Sequence, residues 1–352
     1  MNNSAIDPLG TRQTGVSLVE LMVVLVIGLF LMAGVINIFL SNKQTNRMQE
    51  ALSQLQENGR LAMHELTARL RMAGYSGCYG DLSSEVENIL NNPTGFAWDL
   101  ANTAQGYDNV AANANIGGIT GFVVSTDVLV VKGMSDGVPL SANLDTSTLT
   151  IDAANNRFNA GEILLVTDCD QASLFQATAV TTAGTVTTIA HASGSMTPGN
   201  NLETVSNRFI SDAEIGRLTT FMYYIKNYAN GRPSLYEARL AVTGGNTAAL
   251  QEEELIPDVE NMQIVFGVDT DADRDADVYQ NASAVTDWRN VLSVRIALLL
   301  TSAEDNLVSG KQSYSFNAGT FTYTRDSTPT ANANRRLRRV FTGFGTLRNR
   351  TL

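Results

Sequence analysis

The sequence has 352 residues, with 35 acidic against 24 basic side chains and a net charge of −11 at pH 7. Such an acidic surface argues against nucleic-acid binding by the protein as a whole. Apolar residues make up 44% of the chain, which excludes a protein that is disordered throughout. The length is enough for one large domain or two modest ones.

The N-terminal region contains a long apolar segment. No residue from Leu21 to Asn42 carries a charge, and residues 21–40 form a run of 20 residues broken only by Gly28, Gly34 and Asn37. As a helix this run measures about 30 Å, the thickness of the hydrocarbon core of a bilayer. It is too long for a secretory signal peptide, and no small-residue cleavage site follows it. We therefore predict a membrane-spanning helix.

Glu20 lies at the start of this apolar segment. A charge near the middle of a membrane helix costs roughly 2.5–3.5 kcal/mol, and less near its edge. A carboxylate in this position therefore indicates either a partner that neutralises it or a specific task.

The residues around Glu20 resemble the N-terminal motif of type IV prepilins, reading Gly15-Val16-Ser17-Leu18-Val19-Glu20-Leu21-Met22. The resemblance implies that a dedicated prepilin peptidase cleaves after Gly15. Val16 then becomes the methylated N-terminus, and Glu20, the fifth mature residue, takes part in assembly. The family usually has phenylalanine where this chain has Val16. The alternative is an ordinary signal anchor with an isolated carboxylate.

The helical pattern continues beyond the apolar segment. Apolar and small residues recur mostly three and four positions apart, at Met48, Leu52, Leu55, Gly59, Ala62, Leu66 and Ala73. No proline occurs between Pro8 and Pro93. We predict one helix from about Val16 to Met72, ended by Gly74 and Gly77, with its second half packed on a globular domain.

The remaining sequence is typical of β-strands, because β-branched and aromatic residues are concentrated in short runs. The predicted strands are 122–132, 149–152, 162–168, 174–180, 186–191, 218–225, 235–242, 262–268 and 291–300. Asn230-Gly231 predicts a hairpin, and 82–117 reads as irregular. The expected fold is α+β and pilin-like, with a leader at 1–15, a helix at 16–73 and a mainly antiparallel β domain at 74–352.

Several later blocks resemble the PilW group of minor pilins. They are 71–75 with Gly77-Cys78, 125–129, Asp168-Cys169 before 174–176, 261–273, 338–342 and 347–350. The resemblance implies a single-pass inner-membrane protein whose C-terminal domain lies in the periplasm and then joins the pilus. Its implied partners are other minor pilins, the major pilin, the prepilin peptidase and the inner-membrane assembly platform.

The function implied by this resemblance is that of a minor pilin that primes assembly of a type IV pilus, sits at or near its tip and supports twitching motility. One alternative is a minor pseudopilin of a type II secretion system, which shares the motif and the helix. Another is a tip adhesin or a calcium-dependent binding module carried on a pilin helix.

The chain has two cysteines, Cys78 and Cys169, each in a turn-like context. A disulfide between them would close a loop of about 90 residues and contribute roughly 4–5 kcal/mol in the chain-entropy model. An oxidising compartment outside the inner membrane would favour this bond. The alternative is a pair of free thiols.

Five carboxylates alternate along one short segment: Asp269, Asp271, Asp273, Asp275 and Asp277. Ca²⁺ takes six to eight oxygen ligands, and a tight loop of aspartates can supply several of them. Arg274 stands where such loops have glycine, and Gln280 stands where an EF-hand has its bidentate glutamate. The segment is either a Ca²⁺ site or a solvated acidic loop, and we expect no other cofactor.

Arginines are concentrated near the C-terminus, at Arg335, Arg336, Arg338 and Arg339. They could contact acidic surfaces, lipid headgroups or the acidic residues of 252–277, or simply solubilise the chain. The only histidines, His64 and His191, lie in contexts that do not suggest a catalytic triad. We therefore predict that the protein is not an enzyme.

Overall fold

The structure is a computed structural model. It describes residues 15–80, 82, 86–135, 137–142, 147–194, 196–202, 204–206, 208–210, 212–229, 231–308, 312–318, 321–327 and 335–351. Most of the predicted leader, residues 1–14, and Asn230 of the predicted hairpin lie outside the described residues. The chain forms two compact units, one ending at Ala51 and one beginning at Leu52.

The N-terminal element is a single helix, α1, spanning Leu18–Met72 over 55 residues. Its apolar side chains from Leu18 to Leu40 are exposed. By length and composition α1 is able to cross a membrane, as the sequence predicted. The helix ends where Gly74 adopts a φ of +72° and donates its N–H to the carbonyl of Lys132 at 2.8 Å. Glycine adopts this left-handed conformation without steric cost, which explains its place just after the helix.

The rest of the described chain consists mainly of strands. They are β1 (Glu87–Asn88), β2 (Ala104–Tyr107), β3 (Val128–Met134), β4 (Val138–Pro139), β5 (Thr148–Asp152), β6 (Ile163–Thr167), β7 (Ala172–Gln176), β8 (Ala179–Ala183), β9 (Val186–Ala190), β10 (Glu214–Asn227), β11 (Pro233–Thr243), β12 (Thr247–Pro257), β13 (Val259–Val268), β14 (Val278–Gln280), β15 (Val291–Thr301), β16 (Gln312–Ala318), β17 (Phe321–Ser327) and β18 (Arg338–Thr346). A short helix, α2 (Arg348–Thr351), follows β18.

A large sheet of nine strands is organised around β10. Its main order is β1-β7-β6-β10-β11-β12, with β3 and β4 also paired to β10 and β2 paired to β3. The first part of β10 pairs with β6 and β4, whereas its later part pairs with β3 and β11. Three other sheets within the described part of the chain have the orders β5-β9-β8, β16-β17 and β14-β13-β15-β18.

The second half of α1 packs on the four-stranded sheet. Leu55, Ala62, Leu66 and Leu70 share one buried cluster with alternate residues of β13 and β15. Full burial of each leucine contributes about 1.5–3 kcal/mol. The arrangement confirms the α+β, pilin-like fold expected from the sequence.

Glycines allow this helix and sheet to approach closely. A Cβ atom on Gly59 of α1 would lie 2.5 Å from the ring of Phe341 on β18. On the same strand, a Cβ on Gly343 would lie 2.6 Å from the sulfur of Met63, and one on Gly345 would lie 2.9 Å from Leu70. Larger residues at these three positions would separate the two elements or distort them.

The predicted strand 122–132 is correct only in its second half, because β3 begins at Val128. The preceding residues form a turn in which Ser125 has a φ of +60°. The buried carboxylate of Asp127 accepts hydrogen bonds from the N–H groups of Asn109 at 2.9 Å and Ile264 at 2.7 Å. These long-range bonds stabilise a turn where β-branched residues alone favour a strand.

Several strands were not predicted, among them β2, β16, β17 and β18, and β2 lies within the segment 82–117 that reads as irregular. Two further differences concern β12 and the hairpin of β10 and β11. β12 was not predicted, because its residues Gln251–Glu254 are polar and it lies at the edge of the described sheet. β10 and β11 do form a hairpin, but their pairing ends at Asn227 and Pro233. The connection is therefore longer than the two-residue turn that Asn-Gly most strongly predicts.

Candidate functional site

The cleavage motif lies at the beginning of α1. Gly15, Val16 and Ser17 precede the helix in a non-helical conformation, and Val16 is 67% exposed. Glu20 lies in the first helical turn and is also exposed. The part of the motif from Leu18 onward is therefore continuous with the apolar segment in one helix.

Cys78 and Cys169 are bonded to each other in the structure. The bond connects the segment that follows α1 to the turn after β6, across a separation of 91 residues. Beside it, the hydroxyl of Thr167 donates to the carbonyl of Ser76 at 3.1 Å, and this contact is buried. Closing a loop of this length contributes about 4–5 kcal/mol in the chain-entropy model.

The acidic loop between β13 and β14 brings three carboxylates together. Asp269, Asp271 and Asp273 each offer an oxygen, and these oxygens all lie within 4.8 Å of one another. Asp269 is buried and organises the turn by accepting from the N–H groups of Ala272 at 2.7 Å and Arg274 at 3.0 Å. The three oxygens are of the type and spacing that a hard cation requires.

The other members of the segment have different roles. Asp273 accepts from the N–H of Asp275 at 2.8 Å, and Asp277 accepts from the N–H and hydroxyl of Thr270. The bond from the Thr270 N–H lowers the pKa of Asp277. The carboxylate of Asp271 accepts from the N–H of Asp273, yet repulsion from the Asp273 and Asp277 carboxylates raises the pKa of Asp271.

The two departures from a calcium-loop sequence have different structural outcomes. Arg274 has a φ of +72°, the left-handed conformation that glycine adopts in the sharp turn of such loops. Gln280 instead lies in β14, opposite Phe266, and its amide donates to the carbonyl of Ala284 at 3.1 Å. The turn is therefore formed, whereas the position of the bidentate ligand is occupied by a strand residue.

The C-terminal arginines make contacts within the chain. Arg335 donates its Nε to the carbonyl of Val308 at 2.8 Å. Arg336 donates to the carbonyls of Ser302 and Ala303, each at 2.8 Å. Arg339 is exposed. Contact within the chain therefore applies to Arg335 and Arg336, which donate to backbone carbonyls.

Arg338 forms a buried ion pair with Glu260. Its Nε lies 2.6 Å from one carboxylate oxygen and its terminal nitrogen lies 2.8 Å from the other. Burial disfavours the charge, but the hydrogen bonds and attraction of Glu260 outweigh it and raise the pKa of Arg338. Glu260 belongs to the acidic segment 252–277, one of the contacts expected for these arginines. This pair, whose members are 78 residues apart, therefore confirms that expectation for Arg338.

The two histidines occupy different environments. His64 is exposed on α1, whereas His191 is fully buried and lies 5.0 Å from the ring centroid of Phe175. Burial lowers the pKa of His191, which favours the neutral ring. His191 thus behaves as a core residue of the region around β7 and β9.

Comparisons with known families agree with this arrangement. Residues 222–349 match the sequence model of the type IV pilus-assembly protein W family, and residues 10–36 match the prokaryotic N-terminal methylation motif. The chain matches a PilW-type, prepilin-like protein. The PilW match covers β11 to β18 and the end of β10, from Met222 onward, and the methylation motif covers the beginning of α1. No curated protein and no solved structure matches the chain.

Proposed function

We propose that this PilW-type protein is a minor pilin that primes assembly of a type IV pilus and sits at or near the filament tip. The observation that supports this role is the continuity of α1. One helix joins the prepilin motif to the four-stranded sheet, whose strands lie within the PilW match. The role is structural and not enzymatic, as in the families that the chain matches.

Processing would begin with cleavage after Gly15 by the prepilin peptidase, followed by methylation of Val16. The exposed, non-helical conformation of residues 15–17 supports access by a peptidase. Mass spectrometry of the mature N-terminus tests this step. We expect a methylated Val16; an intact Met1 or a cut beyond Leu40 would overturn the proposal.

Glu20 would act after cleavage, when the apolar helix leaves the bilayer for a filament core. One apolar environment replaces another, so little hydrophobic free energy is lost. The Glu20 carboxylate would then be neutralised by the N-terminal amine of Val16 on an adjacent subunit. Partners in this assembly would be the major pilin, other minor pilins and the inner-membrane assembly platform.

A substitution at Glu20 tests this assembly role. We expect Glu20→Ala to insert in the membrane and to be cleaved but to support few pili. The matched control is Glu57→Ala, which removes an exposed carboxylate from the second half of the same helix. Normal piliation by Glu20→Ala would refute the assembly role.

The placement of the globular domain in the periplasm, and later on the cell surface, belongs to the same proposal. A minor pseudopilin of a type II secretion system would share α1 and its motif. A deletion strain distinguishes the two: loss of twitching motility with normal secretion supports the pilus, whereas the reverse supports the secretion system.

A Ca²⁺-binding role for the acidic loop is a second proposal. It is favoured by the convergence of Asp269, Asp271 and Asp273 and by the left-handed turn at Arg274. In a tip adhesin, such a site would make surface binding sensitive to a chelator. Surface binding by the protein that is unchanged by chelation would argue against a calcium-dependent adhesin.

A further inference from the structure

A groove of about 650 Å³ opens where β10 changes partners. β10 pairs with β6 as far as Arg217 and with β11 from Phe221 onward. Residues 218–220 lie between these two pairings and line the groove. The groove thus runs along a strand, at the place where two neighbouring strands diverge.

Three arginines line this groove, and they lie on the same face of the sheet. Side chains alternate along a strand, so Arg217, Thr219 and Phe221 share one face of β10. Arg239 of β11 is the direct partner of Phe221 in the register and shares that face. The guanidinium of Arg69, from α1, lies 4.1 Å from the centroid of the Phe221 ring.

The positive charges are therefore arranged along the strand. Arg217 and Phe221 are four residues apart, or about 13 Å at the rise of an extended strand. Arg217 marks one end of this line, and Arg69 and Arg239 lie at the other, beside Phe221.

Contacts within the chain leave much of the hydrogen-bonding capacity of these arginines unused. Arg217 lies 3.0 Å from Glu162 and its guanidinium donates to the carbonyl of Arg157 at 2.6 Å. The Nε of Arg69 binds Glu65 at 2.7 Å, and Arg239 is 3.8 Å from Glu253. Each guanidinium has five N–H donors. The buried Nε of Arg217 has no hydrogen-bond partner among the residues that the structure describes. A groove with spare cationic donors stands out in a protein with a net charge of −11.

We propose that this groove binds an extended acidic peptide segment of another protein, with carboxylates about four residues apart. The 13 Å separation suits a peptide in a strand-like conformation, and guanidinium groups bind carboxylates with paired hydrogen bonds. Thr219, Phe221 and Ala241 also line the groove on the face of the arginines and would contact the side chains between the carboxylates. The inference rests on the proposed function in one respect, namely that the segment belongs to another subunit of the assembly.

The test uses the full chain, purified in detergent micelles, and a fluorescent decapeptide with two glutamates four residues apart in a threonine and alanine background. Fluorescence anisotropy measures binding. We expect the peptide to bind about tenfold more tightly than its glutamine counterpart, and the difference to shrink as salt is added. Equal binding of the two peptides would overturn the proposal.

Substitutions then locate the site. We expect Arg69→Gln and Arg239→Gln each to weaken peptide binding about three- to fivefold, as for partly exposed ion pairs. Arg71→Gln is the matched control, since Arg71 is exposed, lies two residues from Arg69 on α1 and does not line the groove. Equal losses in all three variants would reject the groove as the site. An unchanged urea midpoint shows that each variant is folded.

The groove proposal and the proposed minor-pilin function can be rejected separately. Peptide binding by the purified chain requires no pilus, so normal piliation in a deletion strain would reject the minor-pilin role and leave the groove chemistry intact. Conversely, a strain that needs the protein for piliation, together with a chain that does not discriminate between the peptides, would reject only the groove.

Discussion

Arg338 on β18 and Glu260 on β13 are joined by a two-point ion pair across β15, the strand between them. Glu260 lies at an irregularity in the register between β13 and β15, where the pairing passes from Val259 to Asn261. A β-bulge redirects the side chain of the extra residue. The ion pair therefore connects β18, an outer strand of this sheet, to β13, which is not its neighbour in the strand order.

We predict that Arg338→Met lowers the free energy of unfolding by about 3–5 kcal/mol, because it leaves the Glu260 carboxylate buried without its partner. The double variant Arg338→Met/Glu260→Met should recover most of this loss. Arg339→Met, an exposed neighbour, is the control and should change stability by less than about 0.5 kcal/mol. Urea unfolding, followed by the fluorescence of Trp98 and Trp288, measures the stability of all three variants. Equal stability of Arg338→Met and Arg339→Met would contradict this prediction.

The second prediction concerns pH. Burial raises the pKa of Asp127 to about 7, despite the two backbone N–H groups that favour its charged form. Because this folded-state pKa exceeds the usual value for aspartate in an unfolded chain, folding takes up a proton between about pH 4 and pH 7. The contribution of Asp127 to stability therefore falls as pH rises through this window, by up to about 4 kcal/mol.

The Asp127→Asn variant isolates this effect, because its side chain is neutral at every pH. The stability of the wild type minus that of the variant should decrease from pH 4 to pH 7 and become constant above pH 8. Asp170→Asn, which removes an exposed carboxylate, should show no such trend in the same urea experiment. A difference that does not vary with pH would show that the pKa of Asp127 is not raised.

The third prediction uses the close approach of α1 and β18. Replacing glycine by alanine within a helix normally stabilises it by up to about 1 kcal/mol. Gly59→Ala should instead destabilise the protein by about 1–3 kcal/mol, because the added Cβ meets the ring of Phe341. Adding Phe341→Leu should reduce the penalty of Gly59→Ala. A gain in stability from Gly59→Ala alone would show that the two elements do not pack this closely.

The fourth prediction tests the acidic loop by calorimetric titration with Ca²⁺. We expect a dissociation constant of about 10⁻⁴–10⁻³ M, as for extracellular calcium modules. Asp271→Asn/Asp273→Asn should weaken binding about tenfold or more. These substitutions keep an oxygen that can accept the loop N–H bonds and leave Asp269 in place. Asp170→Asn is again the control. No heat at millimolar Ca²⁺ would identify the segment as a solvated acidic loop.

Local sequence patterns predicted the long apolar elements well. The apolar run and the spacing of Leu55, Ala62 and Leu66 predicted α1, because helix periodicity depends only on nearby residues. The apolar segments at 262–268 and 291–300 likewise became β13 and β15, two interior strands of the four-stranded sheet.

The features that depend on distant residues were not predictable in the same way. Phe122 to Asp127 has strand-forming residues, yet the bonds of Asp127 to Asn109 and Ile264 hold it in a turn. The basic groove combines Arg69, Arg217 and Arg239, which lie on three elements and have no common local signal. Only the register of β10 with its neighbours brings the last two together on one face.

The disulfide has a mechanical consequence. Cys78 lies six residues beyond Met72, the last residue of α1. If the second half of α1 is pulled away from the sheet, tension along the helix reaches the globular domain through the chain at Cys78 and, through the covalent bond, at Cys169 beside β6. A pull on the N-terminal end of α1 is then shared between two points of the domain, so the segment after the helix cannot be drawn out alone while this bond is intact.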